Sequence, residues 1–163
     1  MEKDGIHIRT IERKDNIILA QIIRTVLSEY GINKAGTVAS DPATDNLFNL
    51  YQKPKSTYLV VEFENDLIGG AGIHRLDGNE AGICELQKMY LLPVGRGKGI
   101  GSLLINKCLQ FAKEQGYKQC YLESMPELKM AIHLYEKKGF HYLDGALGNT
   151  GHYACGVWML KDL

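Results

Sequence analysis

Arg96-Gly97-Lys98-Gly99-Ile100-Gly101 is the stretch of this chain that decides its fold and points to its ligand. The apolar sequence Met89-Tyr90-Leu91-Leu92-Pro93 before it predicts the end of a strand. After it, apolar residues recur at helical spacing, at Leu103, Leu104, Cys108, Phe111 and Ala112. A glycine-rich turn that opens a helix gathers backbone N–H groups at the positive end of the helix dipole. The stretch therefore predicts a binding site for an anion such as a pyrophosphate.

Two common phosphate-binding loops do not fit this stretch. A P-loop needs a serine or threonine directly after its Gly-Lys pair, and Lys98 is followed by Gly99. A dinucleotide-binding loop needs Gly-x-Gly-x-x-Gly, but Ile100 and Ser102 stand where the last glycine would be. The pattern that remains is Arg/Gln-x-x-Gly-x-Gly/Ala, with Arg96, Gly99 and Gly101.

The composition bounds the class of protein. The chain has 163 residues, with 19 basic and 19 acidic side chains. This length predicts one domain over residues 1–163, large enough to fold without a metal or a disulfide. Balanced charge gives no reason to expect a nucleic-acid or membrane partner. The polar start is unlike a signal peptide, and no apolar run is long enough for a spanning helix, so we expect a cytoplasmic protein.

The cysteines are expected to be reduced packing residues. Their spacing matches no zinc-ligand pattern, and without a secretory signal disulfides are not expected. We therefore predict no metal site at these positions, which are Cys84, Cys108, Cys120 and Cys155.

The periodicity of apolar residues predicts strands interspersed with helices, and hence a single mixed sheet covered by helices. The predicted strands cover residues 6–11, 57–63, 67–76, 81–92, 118–123, 140–143 and 152–160. A helix that Asp15 can cap is predicted to run to about Tyr30, and another from the glycine loop to about Gln115. A further helix is predicted after Ser124-Met125-Pro126-Glu127, which has the pattern of a capping box, and ends at Gly139. Residues 32–56 are irregular apart from a short helix over 44–51.

The order of these elements resembles that of the GNAT superfamily, the Gcn5-related N-acetyltransferases. The resemblance covers nearly the whole chain, and two motifs carry it. The first is the loop at 96–101. The second is Ala131-Ile132-His133-Leu134-Tyr135-Glu136-Lys137-Lys138-Gly139-Phe140, which is similar to the family's A-x-x-L-Y-x-x-x-G-F. The resemblance implies an α/β (α+β) fold with a mixed, mostly antiparallel central sheet flanked by helices.

The resemblance also implies acetyl-CoA as cosubstrate and an amine as acceptor. Amides from Arg96 through Gly97, Lys98, Gly99, Ile100 and Gly101 to Ser102 would hold the pyrophosphate. The strand before the loop would pair with the pantetheine arm through Met89, Tyr90 and Leu91, with a backbone N–H near Met89 polarising the thioester carbonyl. Leu128 stands where the family often has an asparagine that contacts the CoA arm, so that role is not carried over.

Two side chains are candidates for proton transfer. Tyr135 occupies the position where the family often has a general acid, and a phenol stays protonated at neutral pH. Glu85 lies in a half-buried strand and is the candidate base that receives the proton of the amine. Regular alternation predicts that Glu85 and Gln87 share a face with Met89 and Leu91. An ion pair of Glu85 with Lys88 or Arg75 is the alternative interpretation, and the candidate bases besides Glu85 are His74, His133, His141 and His152.

The predicted function is therefore acetyl transfer to a primary amine of a small molecule. The alternatives are a non-catalytic CoA-binding or sensing module and an enzyme that acetylates proteins or peptides. The segment 32–56 and the loop from Gly145 to His152 are the predicted walls of the acceptor site. Three acidic side chains there can attract a cation, at Asp41, Asp45 and Asp144. The apolar, aromatic strand at 157–159 is a candidate interface for a homodimer.

Overall fold

The computed structural model describes residues 2–33, 35–78, 82–148 and 155–163. Within these ranges the strands form one eight-stranded sheet in the order β1-β2-β3-β4-β5-β6-β8-β7. The strands are β1 (Glu2–Lys3), β2 (Ile6–Thr10), β3 (Thr57–Phe63), β4 (Asp66–Arg75), β5 (Ile83–Leu91), β6 (Gln119–Ser124), β7 (His141–Tyr142) and β8 (Val157–Asp162). Neighbouring strands are antiparallel except β5 and β6, which are parallel. The prediction of a mixed, mostly antiparallel sheet is confirmed.

Four α-helices flank the sheet in the described part of the chain, and one of them begins at the glycine loop. They are α1 (Asn16–Glu29), α2 (Leu47–Leu50), α3 (Ile100–Glu114) and α4 (Lys129–Lys137). Short 3₁₀ turns cover Arg13–Asp15, Val38–Ser40, Pro42–Asp45 and Pro93–Gly95. None of the helices in the described ranges is long and apolar enough to cross a lipid bilayer.

Two apolar layers cover the two faces of the sheet. On one face, α3 and the end of α4 pack on the sheet through buried residues such as Leu104, Cys108 and Tyr135. On the other face, α1 and the segment from Ile32 to Tyr51 pack against Tyr58 and Val60 of β3. Each face of the sheet therefore has its own core, and a third, smaller cluster forms around Leu76, Tyr121 and Leu160.

The parallel pair β5 and β6 separates along its length. The described chain pairs the two strands at Ile83, Cys84 and Glu85, opposite Gln119, Cys120 and Tyr121. Beyond Glu85, β5 continues beside β4 while β6 continues beside β8. The strands therefore diverge, and an opening forms between them on the carboxyl side of Glu85.

A β-bulge in β5 corrects the predicted alternation of side chains. Gln87 pairs with Gly72 and Tyr90 with Gly70, so two residues of β5 lie opposite one residue of β4. Lys88, one of the two, has a left-handed backbone with φ of +51°. An extra residue shifts the side-chain alternation by one. Glu85 and Gln87 therefore do not share a face with Met89, which packs in the α3 core.

Two helix starts also differ from the sequence prediction. The capping box at residues 124–127 is not formed, because Ser124 is still paired with Val157 in the sheet. A turn follows in which the Leu128 amide donates to the Met125 carbonyl, and α4 begins only at Lys129. At α1, the Asp15 carboxylate binds the Glu12 amide and Arg9 instead of capping the helix.

Candidate active site

Two neighbouring cavities lie where β5 parts from β6. The larger has a volume of about 390 Å³ and follows the end of β5, the glycine loop and the start of α3 to α4. The smaller, of about 40 Å³, lies between Glu85 of β5 and Glu123 of β6. Met89, Tyr90 and Leu128 line both cavities, so the two spaces meet at the bulged end of β5.

The glycine loop presents a row of free amides to the larger cavity. Among the described residues, no acceptor is found for the amides of residues 97–102, whereas the Leu103 amide already donates to the Gly99 carbonyl. Gly97 and Gly99 have φ of +73° and +75°, and a Cβ atom at either position would meet no other atom within 4 Å. Glycine is favoured at these two positions because the backbone is left-handed, and not because a side chain would lack space. Free amides at a helix N-terminus fit a pyrophosphate.

Arg96 holds this loop against the rest of the fold. Its guanidinium makes two hydrogen bonds to Glu29 at the end of α1, of 2.6 and 3.1 Å, and two to the Leu91 carbonyl, of 3.2 and 3.0 Å. The ion pair with Glu29 raises the pKa of Arg96. The side chain is thus already bound by protein groups, and its direct contact with a phosphate stays a prediction. The other predicted cofactor-binding residues also line the larger cavity except Lys98, whose Nζ lies 5.7 Å from the Phe63 ring centre.

Replacing Gly99 by alanine is expected to weaken coenzyme A binding about five- to thirtyfold, because a left-handed backbone costs an L-residue roughly 1–2 kcal/mol and the loop must shift. Isothermal titration with coenzyme A measures this. Gly116→Ala is the matched control, since Gly116 also has a positive φ of +89° with open space around it but lies at the other end of α3. Equal affinities of the two variants would contradict the assignment of the loop.

Tyr135 reaches the smaller cavity from α4. Its ring packs against Phe140 with centres 6.0 Å apart, and the side chain is buried. Burial raises the pKa of the phenol well above its ordinary value, so the hydroxyl keeps its proton. The described residues offer this hydroxyl no hydrogen-bond partner, and Tyr135 lines the smaller cavity together with Glu85. It is therefore a proton donor whose partner would come from a ligand.

Glu85 lies on the β5 wall of the same cavity and is 3% exposed. Burial raises the pKa of its carboxyl to about 8, while a hydrogen bond of 2.7 Å from the Gln87 amide partly opposes this shift. A carboxyl with such a pKa can take up a proton near neutral pH. The predicted ion pair with Lys88 is not formed, because the Lys88 ammonium lies 3.6 Å from the Asp41 carboxylate.

The free energy of unfolding should depend on pH because of the raised pKa of Glu85. Because its pKa in the folded protein, about 8, lies above that of an ordinary glutamate, its contribution to stability is full below about pH 4.5 and is lost as the pH rises through 8. Glu85→Gln should remove this loss, on the order of a few kcal/mol. Urea unfolding of both proteins at pH 5 and pH 9 measures it. Parallel changes with pH in the two proteins would show that Glu85 ionises normally.

Among the described residues, none of the other candidate bases lines the smaller cavity, although His74 of β4 is paired directly with Glu85. His133 lines the larger cavity, and its Nδ1 is 3.7 Å from Glu136. His141 is exposed on β7, and His152 lies outside the described residues. His74 is buried with its Nδ1 2.8 Å from the Arg75 carbonyl. In the described ranges no three histidine, cysteine or acidic side chains gather as they would around a metal ion.

Only some residues of the segments predicted to form the acceptor site line the smaller cavity. Thr37 and Val38 from the irregular segment line the smaller cavity. Asp41 and Asp45, predicted to attract a cation, are bound to Lys88 and Arg24 of the chain itself. Cys155 lines the cavity from the C-terminal side.

Two buried tyrosines that were not predicted from the sequence support the β5 wall of the smaller cavity. The Tyr58 hydroxyl donates to the Lys88 carbonyl at 2.8 Å, and the Tyr51 hydroxyl donates to Gln87 at 2.6 Å. Two glycines in β4, Gly70 and Gly72, could have indicated these tyrosines from the sequence. A Cβ atom on Gly70 would lie 2.5 Å from the Tyr58 ring, and one on Gly72 would lie 2.7 Å from the Tyr51 ring. Glycines inside a strand mark such close approaches.

Comparison with known sequences places these cavities in context. The sequence profile of the "Acetyltransferase (GNAT) family" matches residues 22–140. The chain is 48% identical over 157 residues to the N-acetyltransferase YjgM of Escherichia coli (strain K12), an alignment that covers 95% of this chain and 93% of that one.

Solved structures agree with this comparison at the level of the fold. A GNAT-family acetyltransferase from Staphylococcus aureus Mu50 superposes with a TM-score of 0.83 at 21% identity, covering 96% of this chain and 98% of the other. An acetyltransferase named YncA from Salmonella typhimurium, solved with acetyl-CoA, has a TM-score of 0.74 at 18% identity and covers 97% of this chain and 94% of its own.

Proposed function

This chain belongs to the GNAT family of acetyltransferases, and from this premise we propose that it transfers the acetyl group of acetyl-CoA to a primary amine of a small molecule. One observation carries the proposal. A buried carboxyl, Glu85, and a buried phenol that has no hydrogen-bond partner among the described residues, Tyr135, line the same small cavity. That cavity meets the glycine-loop cavity at Met89, Tyr90 and Leu128.

The residues fit acetyl-CoA in two places. The free amides of residues 97–102 would hold its pyrophosphate at the start of α3. The end of β5, from Met89 to Leu91, would pair with the pantetheine arm in the opening beside β6, as an added strand does. When bound, acetyl-CoA supplies an activated acetyl group as a thioester.

Glu85 and Tyr135 would then move the two protons of the transfer. As the amine nitrogen forms its bond to the acetyl carbon, Glu85 takes the proton that this nitrogen loses, directly or through one water. As the carbon–sulfur bond breaks, the Tyr135 hydroxyl donates its proton to the leaving sulfur. A backbone N–H near Met89 would stabilise the charge on the carbonyl oxygen.

A small acceptor suits the size of the smaller cavity. Its volume of about 40 Å³ admits the amine end of a molecule and little more. A thiol-release assay with acetyl-CoA tests the proposal on a panel of alkylamines, diamines, α-amino acids and peptides. Turnover with small amines that exceeds turnover with peptides is the expected result. Tight coenzyme A binding without transfer to any amine would favour a sensing module, and turnover with peptides alone would favour a peptide acetyltransferase.

Three expectations from the sequence remain proposals of the same kind. They are a single domain over residues 1–163, a cytoplasmic location, and a homodimer through the strand at 157–159. In the structure, β8 lies between β6 and β7, and its Met159 is buried. In a dimer, the partly buried Trp158, which packs against the cluster of Tyr121 and Leu160, would contact the partner. Sedimentation of the purified protein measures the oligomeric state.

A further inference from the structure

A short chain of hydrogen bonds leads from the irregular segment to Glu85. The Tyr51 hydroxyl, just after α2, donates to Oε1 of Gln87 at 2.6 Å. The Nε2 group of Gln87 donates in turn to Oε1 of Glu85 at 2.7 Å. The two bonds agree with one another, because a donor on its oxygen turns the amide nitrogen of Gln87 towards the carboxylate.

The position of Tyr51 is built into the sheet. The side chain is 3% exposed, and its ring centre lies 5.1 Å from that of Tyr58 and 6.0 Å from that of His74. The ring rests on Gly72, where a Cβ atom would come within 2.7 Å of it. The backbone of β4 thus makes room for this ring, and the hydroxyl has little freedom to move.

We propose that Tyr51 and Gln87 are positioning residues for Glu85, holding its Oε1 so that its Oε2 is presented to the acceptor amine. The inference rests on the proposed function, in which Glu85 is the base. The described residues make no hydrogen bond to Oε2, while Glu85 lines the smaller cavity. One carboxylate oxygen is therefore used for orientation and the other is left for the proton.

The two hydrogen bonds from Tyr51 to Gln87 and from Gln87 to Glu85 also stabilise the charged form of Glu85. Burial keeps the pKa of Tyr51 well above its ordinary value, so this hydroxyl keeps the proton that it donates. Its bond polarises the Gln87 amide, and hydrogen bonds to an ionised group are the stronger ones. Substitutions at Tyr51 leave the other titratable groups around Glu85 in place. These are His74 and Asp77 on the β4 side, Lys88 on β5 with its ion-pair partner Asp41, Tyr121 and Glu123 on β6, and Cys155.

The test compares Tyr51→Phe and Gln87→Met with the wild type. Both variants keep the approximate volume of the side chain; Tyr51→Phe removes the first hydrogen bond, and Gln87→Met removes both. Tyr117→Phe is the matched control, because it also removes a buried hydroxyl, which donates to the Lys55 carbonyl, and Tyr117 lines neither cavity. The readouts are the titration of the Glu85 carboxyl carbon by NMR, which needs no substrate, and the pH dependence of kcat/KM with the fastest amine of the panel.

We expect Tyr51→Phe to raise the pKa of Glu85 by about half a pH unit and to lower kcat/KM at pH 7 about threefold. Gln87→Met should shift the pKa further in the same direction. The KM for acetyl-CoA and the titration in Tyr117→Phe should not change. If Tyr51→Phe fails to fold, the NMR titration and the pH dependence of kcat/KM are measured on Gln87→Met alone.

The outcomes separate this inference from the proposed function. If Glu85→Gln loses activity but the carboxyl titrates in Tyr51→Phe and Gln87→Met as in the wild type, the positioning role is wrong and the base stands. If Glu85→Gln keeps full activity, Glu85 is not the base. The proposed positioning role of Tyr51 and Gln87 is then also wrong, whatever the NMR titration shows.

Discussion

Replacing Tyr135 by phenylalanine is expected to lower kcat by about 10²- to 10⁴-fold, the usual contribution of a general acid. The hydroxyl is the only group that the substitution removes, and burial holds the pKa of this phenol high enough to keep it protonated throughout an assay. The ring still packs against Phe140, so the fold should be preserved. Steady-state thiol release with a panel amine measures the loss.

Binding measurements distinguish a catalytic role of Tyr135 from a structural one. Coenzyme A affinity and the melting temperature should stay within error of the wild type, and Tyr117→Phe should keep full activity. A Tyr135→Phe enzyme with unchanged kcat would show that the tyrosine only packs in the core with its neighbours. Loss of activity together with loss of coenzyme A binding would point to a damaged cavity instead of a missing proton.

Replacing Glu85 by glutamine is expected to lower kcat/KM about 10²-fold or more at pH 8.5. Since the pKa of this carboxyl is about 8, it is protonated and inactive as a base at lower pH and becomes active as the pH rises. The wild-type rate should therefore increase through pH 8, and the variant should lose that increase. Measurements of kcat/KM from pH 6 to pH 10 show both effects.

The acceptor amine also loses a proton as the pH rises, so two amines of different basicity are needed. A rise in kcat/KM that stays near pH 8 with both amines belongs to the enzyme, whereas one that follows the amine does not. If the rise persists unchanged in Glu85→Gln, another group accepts the proton. The urea-unfolding experiment on the same variant then shows whether Glu85 has the unusual pKa at all.

Much of the fold could be predicted because its signals are local. The glycine loop opens α3 as expected, since left-handed positions such as Gly99 are readable from residue type. Strand positions followed from apolar alternation. The start of α4 was predicted too early because Ser124 has the chemistry of a cap but is held in the sheet by pairing with Val157, a residue distant in sequence.

The cavity along the glycine loop was easier to predict from the sequence than the surroundings of Glu85. The loop amides and Tyr135 lie in short motifs that are legible in sequence. The surroundings of Glu85 come from residues far apart in the chain, so that Tyr51 and Lys88 acquire their roles only when β4 and β5 are paired. Alternation also failed at Lys88, because one extra residue in a strand leaves no mark in composition or period.

Because Lys88 is an extra residue in β5, the side-chain alternation of the strand after it is shifted by one residue from the alternation before it. Before it, the residues that look away from α3 are the polar Glu85 and Gln87, and after it the apolar Met89 and Leu91 turn towards α3. Deleting Lys88 would leave Met89 opposite Ala71 in a regular strand, so Met89, Tyr90 and Leu91 would keep the faces that they have now. The insertion therefore adds one buried lysine to the wall of the smaller cavity, and the glycine loop could be grafted behind a regular strand without changing which side chains face α3.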